Sequence, residues 1–226
     1  MKIGILQTGH VPDQMMETSG DYAAMFRRLL DGHGFTFETW EVVDGQFPSG
    51  PEAADAWLIT GSKHGAYEDH PWIPPLETLI RAIRDAGRPM VGVCFGHQII
   101  AQALGGKVVK FEGGWATGRQ SYDLNGRQVQ LNAWHQDQVV ELPENTRVLG
   151  SNDFCENAVL AIGDNILTLQ PHPEFTATEI RVLLEHRAPG VVPDDLITQA
   201  TAALEAPVDG GEIGQQMARV LKGEKI

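Results

Sequence analysis

The chain has 226 residues, and its 17 Lys and Arg against 30 Asp and Glu give a formal net charge of −13. Nucleic acid and acidic membrane surfaces repel such a chain on average, so we expect neither as a partner. It holds no apolar stretch of about 18 residues and begins directly with a strand-like segment, which predicts a cytoplasmic protein. Its two cysteines, Cys94 and Cys155, are too few for a disulfide framework.

The first half of the chain alternates short apolar runs with helical patterns. This alternation is typical of an α/β fold in which helices cover a mostly parallel sheet. Strands are predicted at Lys2–Leu6, Phe35–Val43, Ala56–Thr60 and Met90–Val93, and helices at Tyr22–Leu30, Leu76–Ala86 and His97–Leu104.

Helical periodicity disappears between Lys107 and Leu169, where short apolar runs are separated by Gly, Asn and Asp. We expect this region to form an antiparallel extension of the sheet, with Gly113–Gly118 as a turn. The predicted strands are Val108–Phe111, Gln128–Leu131, Ala158–Ile162 and Asn165–Leu169.

Helical patterns return after this region, at Thr178–His186, Pro193–Glu205 and Gly211–Lys222. We therefore expect one domain over residues 1–187, with residues 188–226 as a C-terminal helical appendix of the same domain.

Cys94 lies between a buried strand and a helix, with Gly92 and Gly96 on either side. A nucleophile on such a turn is exposed at a sharp bend, and the glycines let the backbone close around it. The helix N-terminus favours a thiolate, and its free amides can stabilise an oxyanion. Taken alone, the pattern leaves open whether Cys94 is a nucleophile or a small buried hydrophobic residue.

A thiolate nucleophile needs a base, and the base needs an orienting acid. The segment Pro171–Phe175 follows an apolar strand, and its prolines keep it extended. His172 and Glu174 are two positions apart, so their side chains project to the same side. A histidine between prolines is by itself more often a loop residue, but together with the cysteine motif it predicts a Cys-His-Glu site at strand ends.

Two motifs resemble the signature sequences of class I glutamine amidotransferase domains: Val93–Gln98 and Gln170–Phe175. Leu58–Ser62 resembles the oxyanion-strand loop of that family, and Trp134–Asp137 resembles its Trp-His-x-Asp loop. The resemblance covers roughly residues 1–187, and within the family the chain is most similar to the domain found in GMP synthases.

The resemblance implies a flavodoxin-like three-layer sandwich with a C-terminal helical tail, and a triad that cleaves the γ-amide of glutamine. Cys94 would be the nucleophile, His172 the general base and then the general acid, and Glu174 the group that orients His172.

The resemblance also implies an oxyanion hole. The amide of Phe95 would be one donor, and the other would come from Gly61 or Ser62, where family members usually carry Gly-Gly-Pro. Four residues are implied as substrate contacts: Gln98, Trp134, His135 and Gln136.

Three functions remain open. The first is a glutaminase that releases ammonia through a γ-glutamyl thioester, either alone or beside a synthetase partner. The second is a free-standing γ-glutamyl peptidase acting on γ-glutamyl peptides or amines, which the segments around Ser62 and Cys94 also resemble. The third is a non-catalytic binding module, against which the intact triad argues.

We expect neither a cofactor nor a metal centre. The scattered histidines are assigned no role. The sequence leaves open whether the protein forms a homo-oligomer.

Overall fold

The computed structural model describes residues 1–226, with eleven strands and seven α-helices. The strands are β1 (Lys2–Gln7), β2 (Thr36–Glu41), β3 (Ala56–Ile59), β4 (Met90–Val93), β5 (Lys107–Lys110), β6 (Ala116–Leu124), β7 (Arg127–His135), β8 (Asp137–Glu141), β9 (Thr146–Ser151), β10 (Val159–Ile162) and β11 (Ile166–Leu169). The helices are α1 (Asp13–Ser19), α2 (Tyr22–Leu29), α3 (Ile73–Asp85), α4 (Phe95–Ala103), α5 (Ala177–His186), α6 (Asp194–Ala202) and α7 (Gly210–Leu221).

Nine strands form one sheet in the order β2-β1-β3-β4-β11-β10-β9-β6-β7. The pairs from β2 to β11 are parallel, and the pairs from β11 to β7 are antiparallel. This confirms the predicted parallel sheet with an antiparallel extension. β5 and β8 lie outside it, as a separate antiparallel pair.

The strands β1, β3, β4 and β11 are buried on both faces of the sheet, which is why their sequences are largely apolar, whereas the edge strand β2 is partly exposed. Along β1, Ile5 belongs to the same hydrophobic cluster as Phe26 of α2 and Met217 of α7, whereas Leu6 belongs with Leu76 of α3 to a second cluster on the opposite face. Helices therefore cover both sides of the sheet, which confirms the three-layer architecture.

The C-terminal helices lie close to their predicted positions. α7 contacts β4 and β11, and its residues Ile213 and Met217 belong to the same hydrophobic cluster as Val91 and Leu167. The tail thus covers the two central strands. No helix combines the length and the apolar character needed to cross a membrane.

Several sequence predictions need correction. Residues 116–118 begin β6 rather than completing a turn, because β7 pairs with β6 along its whole length and holds even Gly118 in the ladder. The helix after Cys94 begins at Phe95 instead of His97. α1 was not predicted, and the strand expected to reach Val43 ends at Glu41, where a 3₁₀ turn begins.

Candidate active site

Cys94 occupies a strained turn between β4 and α4. Its φ is 53°, a left-handed value that is uncommon for a residue other than glycine and costs of order 1–3 kcal/mol. The surrounding backbone holds it there: Cys94 N–H donates to Leu169 O at 2.8 Å, and Gly96 N–H donates to Thr60 O at 3.1 Å. The turn is therefore fixed from β11 on one side and from the end of β3 on the other.

The two flanking glycines are required by close backbone packing. A Cβ atom at Gly92 would clash with the carbonyl of Gly96, and one at Gly96 would clash with the carbonyl of Ile59. This confirms that the glycines let the chain close tightly around Cys94.

His172 reaches the turn because β11 lies beside β4, with Leu169 paired to Val93. His172 N–H donates to Asn132 O of β7 at 2.8 Å, and its ring stacks on Phe175 with centroids 4.0 Å apart. Both contacts fix the position of the imidazole, which is buried.

Glu174 is the partner of this imidazole. His172 Nδ1 donates to Glu174 Oε1 over 2.7 Å, and the two side chains are 3% and 0% exposed. The other carboxylate oxygen, Oε2, is buried without a hydrogen-bond partner. His172 is therefore the one hydrogen-bond partner that the protein offers this carboxylate.

The charges around His172 stabilise its protonated form. Burial acts to lower the pKa of His172, but attraction to the negative charges of Glu174 and Cys94, together with the hydrogen bond to Glu174, raises this pKa to about 10. The structure thus brings Cys94, His172 and Glu174 together, with a protonated imidazole beside Cys94.

We expect the His172 imidazole to keep both ring protons through the neutral pH range, since a raised pKa delays proton loss. Glu174→Gln retains an oxygen that can accept from Nδ1 but removes the charge, so the titration midpoint should move to lower pH. ¹⁵N NMR of histidine-labelled protein measures both midpoints, with His172→Asn used to assign the signal. A wild-type midpoint near the ordinary value of about 6.5 would contradict this electrostatic picture.

The predicted oxyanion donors have unused amides. The N–H groups of Phe95, Gly61 and Ser62 donate to no other group of the protein. Gly61 adjoins the triad closely: a Cβ there would lie 3.1 Å from His172 Cε1 and 3.8 Å from Cys94 Cβ. Its carbonyl accepts hydrogen bonds from Thr8 Oγ1 at 3.0 Å and from Thr60 Oγ1 at 3.1 Å, which fix the peptide.

The residues implied as substrate contacts lie around α4 and the end of β7. Gln98 Nε2 donates to Asp137 O at 3.0 Å, and Gln136 Nε2 donates to Phe111 O at 3.2 Å. Gln98 Nε2 also donates to Gln170 Oε1 at 3.1 Å, so both of its N–H groups are used within the protein, whereas Gln136 uses one of two. Trp134 is partly buried, with its ring 6.2 Å from that of Trp115. Their contacts with substrate stay predictions.

Two buried histidines near the triad are neutral. Burial, together with the neighbouring His135, lowers the pKa of His97 to about 3. Burial also lowers the pKa of His135 to about 3 and outweighs a hydrogen bond to the Asp137 carbonyl that acts to raise it, while His172 adds a smaller lowering effect. His97 Nδ1 lies 2.7 Å from Thr168 Oγ1. This confirms that His97 is packed in its helix.

Tyr22 is a candidate site residue that sequence reasoning missed. A Cβ at Gly61 would lie 3.6 Å from its ring, and that ring stacks on Phe175 with centroids 6.4 Å apart. Burial and then the negative charges of Cys94 and Glu174 raise the pKa of Tyr22 above its usual value, so its hydroxyl stays protonated. Nothing in the local sequence marks it, because only the fold brings α2 to the triad.

The sequence model of the family described as glutamine amidotransferase class-I matches residues 54–187. The chain therefore belongs to the class I glutamine amidotransferase family.

Individual relatives point to two activities within that family. Gamma-glutamyl peptidase 4 of Arabidopsis thaliana is 36% identical over 177 residues, covering 70% of each chain. A GMP synthase of Azoarcus sp. (strain BH72) is 31% identical over 181 residues, covering 69% of this chain but 34% of the synthase. The crystal structure of a glutamine amidotransferase from Methylobacillus flagellatus superposes with a TM-score of 0.75 at 19% identity, over 98% of this chain and 92% of the other. At that identity the structural likeness supports the fold alone.

Proposed function

We propose that this protein hydrolyses γ-glutamyl amide bonds with Cys94 as its nucleophile. The observation that carries the proposal is the buried His172 imidazole, hydrogen-bonded to Glu174 and interacting with Cys94 on a strained turn. A thiol, a base and an orienting carboxylate beside free backbone amides are the groups that acyl transfer requires.

In the first half of the reaction the Cys94 thiolate attacks the γ-carbonyl carbon, forming a carbon–sulfur bond. The negative charge that develops on the carbonyl oxygen is stabilised by the amide of Phe95 and by an amide of Gly61 or Ser62. His172 then donates its proton to the leaving nitrogen as the carbon–nitrogen bond breaks, which leaves a γ-glutamyl thioester.

In the second half, neutral His172 removes a proton from water, and the oxygen of that water attacks the thioester carbon. The carbon–sulfur bond breaks, glutamate leaves, and the thiolate and imidazolium are restored. Glu174 holds the ring in place throughout and stabilises its charged form, without accepting the proton itself.

The leaving amine distinguishes the two candidate activities. We favour γ-glutamyl peptides or amines, because the match to the Arabidopsis peptidase covers equal shares of both chains. The second candidate is glutamine hydrolysis, with ammonia passed to a synthetase partner. It is supported by the family assignment and by the match to one third of a GMP synthase.

Purified protein incubated with a panel of γ-glutamyl dipeptides and with glutamine separates these candidates when glutamate release is measured. A peptidase should give a kcat/KM for its best dipeptide at least about tenfold above that for glutamine, a difference of 1.4 kcal/mol in transition-state binding. The matched control is the same dipeptides joined through the α-carboxyl group, which should not be cleaved.

Preference for glutamine, with strong stimulation by a protein fraction from cell extract, would select the amidotransferase activity instead. Cleavage of none of the γ-glutamyl compounds by folded protein, with or without extract, would overturn the proposed chemistry as a whole.

A further inference from the structure

We propose that His64, Glu68 and His70 form a binding site for Zn²⁺ in the loop between β3 and α3. This proposal does not depend on the proposed function. In the sequence His64 and His70 are scattered beside Gly, Pro and charged residues, with nothing to mark a role, whereas the structure brings them together around one carboxylate.

The geometry of the three side chains suits a metal ion. Their ligand atoms all lie within 4.8 Å of one another. His64 Nδ1 is 3.4 Å and His70 Nε2 is 2.7 Å from Glu68 Oε2. Ligand atoms around a tetrahedral Zn²⁺ are about 3.3 Å apart, given metal–ligand bonds of about 2.0–2.2 Å. The first distance already fits, whereas the second is a hydrogen-bond distance that metal binding would have to lengthen by moving the half-exposed Glu68 side chain.

The loop holds these residues in place before any ion arrives. Glu68 N–H donates to Gly65 O at 3.1 Å, and His70 N–H donates to Glu68 O at 3.0 Å. The buried indole of Trp72 stacks on the ring of His70, with centroids 5.8 Å apart and planes inclined by 12°. Supporting contacts of this kind orient metal ligands and lower the entropy cost of binding.

Two imidazole nitrogens and one carboxylate oxygen are a ligand set that Zn²⁺ accepts, with water in the fourth position. The His64 and His70 side chains are 22% and 31% exposed, so an ion can enter from solvent.

The site borders the predicted oxyanion hole on two sides. His64 N–H donates to Ser62 Oγ at 3.2 Å. Trp72 packs against Phe95, with ring centroids 5.4 Å apart. A bound ion would therefore connect the loop of Gly61 and Ser62, which supplies one predicted oxyanion donor, with Phe95, which supplies the other.

Isothermal titration of Zn²⁺ into the full chain tests the proposal. The titrations use protein carrying Cys94→Ala, because a reactive thiolate is itself a zinc ligand. We expect one ion per chain. His64→Asn and His70→Asn should each weaken binding at least tenfold, and so should Glu68→Gln, which retains the side-chain shape. Co²⁺ in place of Zn²⁺ should give the visible absorption of a tetrahedral site, which the same substitutions abolish.

The matched control is His10→Asn, which alters the other His-carboxylate cluster, His10, Glu41 and Asp44, and should leave binding unchanged. Thermal melts verify that each variant is folded, and the three ligand positions give independent variants should one of them fail to fold. The proposal is overturned if the protein binds no Zn²⁺, if binding survives the substitutions at His64 and His70, or if His10→Asn removes it.

Discussion

Cys94→Ser is expected to lower kcat/KM for every γ-glutamyl substrate by about 10⁴-fold or more, and Cys94→Ala by at least as much. The serine hydroxyl is far less acidic than the thiol, so His172 cannot hold it ionised, and alanine offers no nucleophile. Steady-state glutamate release from the best dipeptide measures the loss.

Cys155 supplies the matched control. It is 1% exposed, and burial raises the pKa of its thiol to about 12, which leaves almost no thiolate at neutral pH. Cys155→Ala should retain most of the activity, and an electrophile shaped like a γ-glutamyl group should label Cys94 alone. Equal labelling of the two cysteines, or inactivation by Cys155→Ala in a folded protein, would refute the assignment of the nucleophile.

His172→Ala should reduce turnover about as severely as Cys94→Ala, whereas Glu174→Ala should cost about tenfold to a hundredfold less. Loss of the imidazole removes the proton donor and acceptor, while loss of the carboxylate removes only its orientation and the stabilisation of its charge. Measurements of kcat/KM for the three variants at one pH give this ranking directly.

Glu174→Gln separates the orienting effect of this residue from its charge effect. The glutamine oxygen can still accept from His172 Nδ1, so kcat/KM should fall between those of wild type and Glu174→Ala. If folded Glu174→Ala were as inactive as Cys94→Ala, Glu174 would have a part in the proton transfers that the mechanism above does not give it.

The sequence predicted the parts of the molecule that follow from local chemistry. The turn around Cys94 was predicted because the cysteine follows an apolar strand and lies between two glycines, and the role of Cys94 followed only when this motif was combined with the segment of His172 and Glu174. The extended segment of His172 and Glu174 was visible because prolines limit its conformations. Both motifs depend on a few neighbouring residues, which a linear sequence displays directly.

The rest depends on contacts between distant segments. β6 was missed because pairing with β7, rather than an apolar alternation of its own, holds Gly118 in a strand. Tyr22 was missed because only the packing of α2 brings its ring to Gly61. The cluster of His64 and His70 was missed because the path of an irregular loop cannot be derived from its composition.

The position of β11 also constrains how the chain folds. The hairpin of β10 and β11 has a short turn at residues 163–165, so its two strands can pair with each other early, but β11 must also pair with β4. A β4 strand without β11 beside it exposes an unpaired apolar edge that is open to aggregation. Under the proposed mechanism such a chain also lacks the base of Cys94, because His172 follows β11 directly. Docking of the hairpin would then cover the apolar edge and bring His172 to Cys94 in the same event.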